Sequence, residues 1–338
     1  MRRGLSMAGR CWISSLPVFL LDCYGTLAAL ASDDVVGSRS DGEYRVQVKF
    51  EVSWQRTATV YEQNSARPVF FDVDQQIWRG RSIVESDACA PNATVDVDVH
   101  GKNFILGDGL HTTTMAVNSQ SPGPPLVVPF NADVSVRVRN SLTTEGLTLH
   151  VHGLDNKWFF DGVAFVQQCP IPVGSVFTYR FRADQPGTHW YHGHFGPDRA
   201  DGFLGAFVVL EKDPTLQLPF GSTVPDAQHI LVLEDKQLPS EGRDKYLNER
   251  DYTWRFGYGL DDHDKCYVTP VTFDGTEIGG ASVLSAITVN GKGWHRQEDI
   301  LLRPFCLPIE TFAVAPGETA LFRLIHGGIS YPLVVSIE

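Results

Sequence analysis

The segment Val134-Ser135-Val136-Arg137-Val138-Arg139-Asn140 alternates apolar and polar side chains. A period of two predicts a β-strand with one buried and one solvated face. Similar alternation recurs over residues 147–152 and 177–182, and turn-forming runs such as residues 121–125 separate these segments. Several short strands at this spacing are typical of an all-β sandwich or barrel.

The composition of the 338-residue chain agrees with this fold class. Charged residues make up 20% and hydrophobic residues 43%, which excludes a disordered chain and a coiled coil. The 31 glycines and 20 prolines favour short strands over long helices. The net charge of −12 repels phosphate backbones, so nucleic acid is not an expected partner.

Residues 1–31 have the features of a secretory signal. A basic start precedes an apolar run over residues 11–21, and Ala29-Leu30-Ala31 fits a cleavage site. No later segment is long and apolar enough to span a bilayer. We therefore expect a secreted, extracellular protein.

Two further features fit export. The sequon Asn92-Ala93-Thr94 predicts glycosylation. The four cysteines beyond the signal are too scattered for a zinc ribbon, so disulfides in an oxidising compartment are expected. These cysteines are Cys89, Cys169, Cys266 and Cys306.

The rest of the chain divides into four segments. Residues 32–94 show no repeated chemistry and are interpreted as an N-terminal extension, and residues 213–227 as a polar, proline-bearing linker. Residues 95–212 and 228–338 are interpreted as two β-domains, because residues 134–152 align without a gap on residues 320–338. In this register His150 faces Ser336 and His152 faces Glu338. The second domain is therefore expected to be copper-free, and its end within a strand suggests a truncation.

Candidate metal chemistry is concentrated in His150-Val151-His152-Gly153 and in Trp190-Tyr191-His192-Gly193-His194. Residues i and i+2 of a strand point to the same face, so each pair projects two imidazoles together. In the first segment this face lies opposite Leu149 and Val151, so we expect imidazoles exposed to solvent. Four neutral imidazoles on two strands form a strong site for copper, zinc, iron or nickel.

Other interpretations of the histidines are weaker. One His-x-His pair is common by chance, whereas two pairs 42 residues apart, each beside glycine, are not. A cupin would need a glutamate shortly after the pair, and an α-carbonic anhydrase would need one further histidine rather than a second pair. His189 lies on the opposite face of its strand by parity. The remaining isolated histidines are interpreted as surface or turn residues.

Five ordered motifs between His150 and Gly205 resemble the multicopper oxidases, the laccase and ascorbate oxidase family. They are His150-Val151-His152-Gly153, Asp161-Gly162, Gln168-Cys169-Pro170-Ile171, Gly187-Thr188-His189-Trp190-Tyr191-His192-Gly193-His194 and Asp201-Gly202-Phe203-Leu204-Gly205. Residues 289–293 and 322–325 are similar to the second cupredoxin domain of that family. The resemblance implies tandem cupredoxin-like, plastocyanin-like Greek-key sandwiches.

The resemblance also implies a cofactor and site residues. His150 would ligate the type 2 copper of a trinuclear cluster, His152 and His192 one type 3 copper, and His194 the other. Asp161 matches the aspartate that assists proton delivery during oxygen reduction, although an Asp-Gly turn is an equally good interpretation. Cys169 matches a cysteine that often forms an interdomain disulfide. Trp190 and Tyr191 are interpreted as packing.

The sequence lacks the rest of such an enzyme. No cysteine is adjacent to a histidine, so the His-Cys-His motif of a type 1 copper site is absent from these 338 residues. The resemblance therefore implies a laccase-like oxidase that takes dioxygen and a small reducing substrate and needs a further C-terminal cupredoxin domain. The alternative is an extracellular copper-binding protein without oxidase activity.

Overall fold

The computed structural model describes residues 35–40, 43–62, 65–81, 94–100, 104–155, 160–211, 227–238, 283–295, 307–329 and 331–336. All regular secondary structure in these ranges is β-strand, which confirms the all-β prediction. The ranges contain no helix long and apolar enough to cross a membrane. The expected signal, the expected glycosylation site Asn92, residues 213–226 of the expected linker and three of the cysteines (Cys89, Cys266 and Cys306) lie outside the described residues. The last residue of the expected linker, Ala227, is instead the first residue of a strand.

Thirteen strands precede residue 212 in the described part of the chain. They are β1 (Val35–Ser40), β2 (Glu43–Arg56), β3 (Thr59–Glu62), β4 (Ser65–Asp72), β5 (Ile77–Arg81), β6 (Thr94–Asp96), β7 (Thr113–Val117), β8 (Gly123–Val128), β9 (Ala132–Asn140), β10 (Leu149–His152), β11 (Val176–Ala183), β12 (Gly187–Gly193) and β13 (Leu204–Val209). The later strands are β14 (Ala227–Leu238), β15 (Val283–Val289) and β16 (Ala320–His326).

Two sheets form the first cupredoxin-like sandwich. One sheet has the order β1-β2-β9-β11 with β7 also paired to β2, and the other has the order β10-β12-β13-β8. One hydrophobic core joins the facing sides of both sheets, with β9 contributing Val134, Val136 and Val138 and β10 contributing Leu149 and Val151. The alternation in the sequence therefore placed these side chains correctly.

Strand β2 shows how far the first sandwich extends toward the N-terminus. It lies within residues 32–94, which the sequence analysis interpreted as an extension, yet it pairs in parallel with β9 along residues 45–52. Its side chains Val46, Val48, Phe50 and Val52 are at most 2% exposed in the core. The residues from 44 to 52 also alternate apolar and polar, so the local signal for this strand was present in the sequence.

A separate four-stranded sheet lies between β2 and β7. Its order is β3-β4-β5-β6, and every pair in it is antiparallel. Val60, Val69, Val97 and Val99 form its small core, and Trp78 packs beside them. Trp78 also stacks on Trp294 from the second half of the chain, with ring centroids 6.4 Å apart and planes at 20°.

The second half repeats the hydrogen bonding of the first. Strand β14 pairs in parallel with β16 and antiparallel with β15, as β2 pairs with β9 and β7. Asn118 after β7 accepts a bond from Glu51 N at 2.7 Å through Oδ1, and Asn290 after β15 accepts one from Val232 N at 2.8 Å. Both asparagines have left-handed backbones, with φ of 50° and 51°. The two halves therefore share this strand pairing and this turn geometry, and two copies of one β-domain stay a prediction.

The alignment of Ser336 with His150 does not extend to secondary structure. Strand β16 ends at His326, and Ser336 lies in a described segment without strand structure. Glu338, which aligns with His152, lies outside the described residues. The predicted equivalence of these two positions to strand residues is therefore not observed at Ser336 and stays a prediction at Glu338.

The two halves pack against each other beside strand β12. Leu204 and Ala206 from the first half form a buried cluster with Val232 and Ile325 from the second, and Trp190 packs against this cluster. Arg323 Nη1 donates a hydrogen bond of 2.9 Å to Thr188 Oγ1. One end of β12 is therefore held by the second half of the chain.

Candidate metal centre

Strands β10 and β12 bring the two histidine pairs together. They pair antiparallel, with His150 opposite His192 and His152 opposite Trp190. Directly opposed residues share a face, and so do residues two positions along each strand. The pairing therefore places all four predicted ligand residues (His150, His152, His192 and His194) on one face of the sheet.

The imidazole rings form a compact cluster. The centroid of the His150 ring lies 5.5 Å from that of His152, 5.2 Å from that of His192 and 5.4 Å from that of His194. One ring nitrogen from each of His150, His152 and His192 lies within 4.8 Å of the others. His194 directly follows β12 and is not part of this trio of nitrogens.

His192 differs from the solvent-exposed imidazole that the sequence analysis expected. It is only 5% exposed, because the indole of Trp190 covers it at 4.3 Å between ring centroids. Burial lowers the pKa of His192 to about 3, so its ring is neutral at physiological pH. His152 and His194 are exposed, and His150 is half-buried.

The hydrogen bonds of His192 leave one nitrogen available. Nδ1 donates to the carbonyl oxygen of Gly193 at 2.8 Å, which fixes the tautomer with its lone pair on Nε2. Nε2 is buried and has no hydrogen-bond partner within the described part of the chain. A buried acceptor without a partner is costly in water-free surroundings, and a metal ion bound there would remove that cost.

Asp161 orients His150. The His150 Nδ1 atom donates to the backbone oxygen of Asp161 at 2.7 Å and lies 3.0 Å from its carboxylate Oδ1. Such a bond from the non-ligating nitrogen fixes the tautomer and directs Nε2 toward a metal. The following residue, Gly162, has φ of +82°, and a Cβ there would overlap the backbone of Leu149. The Asp-Gly turn and the contact with His150 therefore occur together.

Trp190 and Arg199 belong to the site, although the sequence analysis gave neither a site role. Trp190 shares the face of the histidines by strand parity and stacks on His152 at 5.3 Å and 26°. The guanidinium carbon of Arg199 lies 5.8 Å from the centre of the Trp190 ring. Burial, followed by the charges of His150 and Arg199, lowers the pKa of His152. Parity could have identified Trp190, whereas Arg199 lies on a loop without periodicity.

The other histidine of this strand lies elsewhere, as predicted. His189 Nε2 donates to the carbonyl oxygen of Gln185 at 2.9 Å, and its ring lies against Gly153. Cys169 is exposed with an unpaired thiol, and no described residue forms the disulfide expected from the resemblance. Residues 156–159, which connect β10 to the turn that contains Asp161, lie outside the described residues.

The donor set suits copper. Imidazole nitrogens favour Cu(II) over other divalent first-row metals. The neutral His192 ring, the partnerless Nε2 atom and the Nδ1 contacts of His150 and His192 leave ligand nitrogens directed into the cluster. The residues present therefore fit a copper site in which His150 and His192 already have the required tautomer.

Comparison with known proteins agrees with this geometry. The chain is 46% identical over 98 residues to L-ascorbate oxidase from Brassica rapa subsp. pekinensis, covering 28% of this chain and 17% of that protein. It is 40% identical over 107 residues to Laccase-1 from Botryotinia fuckeliana, covering 31% and 19%. It is 38% identical over 123 residues to the iron transport multicopper oxidase FET3 of Gibberella zeae, covering 36% and 19%.

The match thus spans less than a fifth of the length of each of these relatives. The family model described as multicopper oxidase matches residues 98–214, which contain β7 to β13 and all four clustered histidines. Residues 98–214 are therefore similar to a multicopper oxidase domain.

Proposed function

We propose that His150, His152, His192 and His194 supply half of the ligands of a trinuclear copper cluster. His150 would hold the type 2 ion, His152 and His192 one type 3 ion, and His194 the other. The observation that carries the proposal is the buried Nε2 atom of His192, which has no partner in the described chain and faces two further imidazoles. Copper supplies one-electron redox chemistry toward dioxygen when it is bound.

The chain's own residues would prepare this chemistry. Asp161 holds His150 in the tautomer needed for metal binding, and its half-exposed carboxylate can exchange protons with water. This position supports a role for Asp161 in proton delivery during oxygen reduction. Trp190 excludes water from one side of His192 and limits the movement of both rings that it contacts.

The complete protein would couple one-electron oxidation of a donor to the reduction of dioxygen to water. The donor would be a phenol, an aromatic amine, ascorbate or a metal ion, and the protein would be secreted. The remaining cluster ligands and the type 1 copper site would lie on a further cupredoxin domain. We accordingly expect this chain alone to bind one or two copper ions without strong blue absorption and without sustained oxygen consumption.

Copper titration of the chain tests the proposal. Isothermal calorimetry with Cu(II) should show binding to the unaltered chain and a loss of affinity of about tenfold or more in His192→Ala. His189→Ala is the matched control, because it removes an imidazole from the other face of the same strand. Electron paramagnetic resonance of the loaded chain should show nitrogen coupling that changes in His192→Ala and not in His189→Ala.

Two results would contradict the proposal. Equal Cu(II) affinity in both variants would place the binding site elsewhere. Binding with a blue band and steady oxygen uptake by this chain would show that no further domain is needed. If the complete protein binds copper through His192 but consumes no oxygen with any donor, the alternative of a copper-binding protein without oxidase activity is correct.

A further inference from the structure

The outer face of the first sandwich carries a concentration of positive charge. Strands β2, β9 and β11 lie side by side, and their outward positions alternate with the buried core positions. Six of these outward side chains are cationic and exposed, and together they define the basic face: Arg45, Lys49, Arg137, Arg139, Arg180 and Arg182. This face is remote from the histidine cluster, which lies on the opposite sheet.

The basic face contrasts with the rest of the protein. The whole chain has a net charge of −12. Where the three strands lie side by side (residues 45–51, 133–139 and 176–182), the outward positions contain two carboxylates, Glu51 and Asp133, against the six cations. Asp133 lies 3.8 Å from Arg182, and Glu51 accepts a hydrogen bond from Ser141. Both carboxylates lie toward the two ends of the face. A cluster of six cations on an acidic protein is a local feature that average composition does not produce.

The centre of the basic face contains cations and neutral hydrogen-bonding groups. One row across the three strands joins Lys49, Arg137 and Thr178. The next row joins Gln47, Ser135 and Arg180. Neighbouring strands lie about 4.8 Å apart, and successive outward residues along a strand lie about 6.7 Å apart. The surface therefore presents separated positive charges beside amide and hydroxyl groups.

This pattern suits a linear polymer that carries both carboxylates and hydroxyls. Arginine forms a planar fork that matches a carboxylate with two parallel hydrogen bonds. Gln47, Ser135 and Thr178 can bond to neutral hydroxyls between the charged groups. The outward positions of the three strands contain no aromatic side chain. Stacking of single-stranded bases, which proteins achieve with aromatic rings, has no partner here.

Charge density distinguishes this polymer from other polyanions. Duplex DNA carries one negative charge per about 1.7 Å, and a protein of net charge −12 repels such a polymer strongly. A polymer with about one carboxylate per sugar is repelled less, and salt confines the repulsion to about 8 Å. We propose that the basic face binds a polyuronate, a linear polysaccharide of acidic sugars, and that this binding does not require copper.

Binding of the chain to polygalacturonate tests the proposal. The double variant Arg137→Gln with Arg180→Gln removes two central charges and keeps polar side chains of similar length. Calorimetry at about 50 mM salt should show a dissociation constant raised at least about tenfold in this variant. The control variant Arg56→Gln with Lys292→Gln removes two charges outside the basic face, and its affinity should stay within about twofold of the unaltered chain.

Two other anionic ligands test whether the binding is specific for polyuronate. Duplex DNA and vesicles of phosphatidylcholine with phosphatidylserine should bind more weakly than polygalacturonate, and thermal unfolding should show that both double variants remain folded. Absence of polygalacturonate binding by the unaltered chain would overturn the proposal. Equal weakening in the two double variants, or tighter binding of DNA or vesicles than of polygalacturonate, would do so as well.

Discussion

The indole ring of Trp190 lies on the imidazole ring of His192, with 4.3 Å between the ring centroids and 34° between the planes. The same indole packs against a cluster that contains Val232 and Ile325 from the second half of the chain. One side chain thus joins the candidate copper site to the interface between the two halves. The position of His192 consequently depends on residues far from it in the sequence.

Truncation of Trp190 tests this connection. Trp190→Ala should lower the free energy of unfolding by about 2–3 kcal/mol. The substitution removes a half-buried aromatic ring that packs both on His192 and on the cluster with Val232 and Ile325. It should also weaken Cu(II) binding, since His192 and His152 lose the ring that restrains them. Denaturant unfolding and calorimetry measure the two effects. Trp190→Phe keeps a stacked ring and should retain most of the stability and most of the Cu(II) affinity. An unchanged Cu(II) affinity in Trp190→Ala would contradict the restraining role of the indole.

A side chain at Gly193 should damage the ligand strand. A Cβ at this position would overlap Asp198 and lie 2.8 Å from Phe203 Cδ1. Gly193→Ala should therefore destabilise the protein by about 2 kcal/mol or more, because Asp198 and Phe203 are both buried. Gly196→Ala is the comparison, since nothing lies within 4 Å of a Cβ there and only its left-handed backbone, with φ of 57°, costs about 1 kcal/mol for alanine. Equal thermal unfolding temperatures for the two variants would show that the strand moves to accommodate the methyl group.

The protein should lose stability at alkaline pH through its buried tyrosines. Burial raises the pKa of Tyr179 from its ordinary value of 10.0 to about 12, and burial also raises the pKa of Tyr191. The unfolded chain therefore releases these protons at lower pH than the folded chain does. The stability is complete below pH 10 and falls as the pH rises toward 12, by up to about 3 kcal/mol for Tyr179 alone.

Denaturant unfolding at several pH values measures this loss. Tyr179→Phe should be less stable near pH 8, because Leu149 N loses the hydroxyl to which it donates at 2.9 Å. The same variant should lose less stability than the unaltered chain between pH 10 and 12. Parallel pH profiles for the two proteins would show that the ionisation of Tyr179 does not lower the free energy of unfolding.

Loss of the Arg323 guanidinium should destabilise the protein and weaken the coupling between the unfolding of its two halves. Arg323 is 7% exposed, and its Nη1 and Nε atoms donate to Thr188 Oγ1 and Gln228 Oε1, each at 2.9 Å. Arg323→Met should lower the stability by about 1–3 kcal/mol, because it removes the donor of both hydrogen bonds. Fluorescence and circular dichroism should then report less coincident unfolding transitions. Arg139→Met, at an exposed position, should change neither the stability nor the coincidence of the transitions. Coincident transitions in Arg323→Met would contradict the predicted coupling.

Local periodicity predicted much of the fold. The alternation at Val134, Val136 and Val138 identified buried positions, and the parity of His150 and His152 identified the ligand face. Strand geometry is set by the backbone, so side chains two residues apart share a face wherever the strand lies. The same rule applied to residues 44–52 would have identified β2, whose alternation was not used.

Pairing between distant segments was beyond this reasoning. The sequence shows that residues 44–52 suit a strand, but their parallel pairing with β9 and their place at the centre of the first sheet depend on long-range packing. Such pairing follows from how many apolar faces the whole chain can bury together. The division of the chain at residue 95 therefore separated residues that share one core.

The sequence by itself determined the four imidazoles, their spacing and the strand face that carries them. Only the tertiary structure decided that His192 is buried, that Asp161 holds the Nδ1 atom of His150, and that Trp190 covers the cluster. These features combine side chains from separate strands and loops. Their burial and hydrogen bonds depend on three-dimensional neighbours, whereas the direction of a side chain on a strand depends only on its position along the backbone.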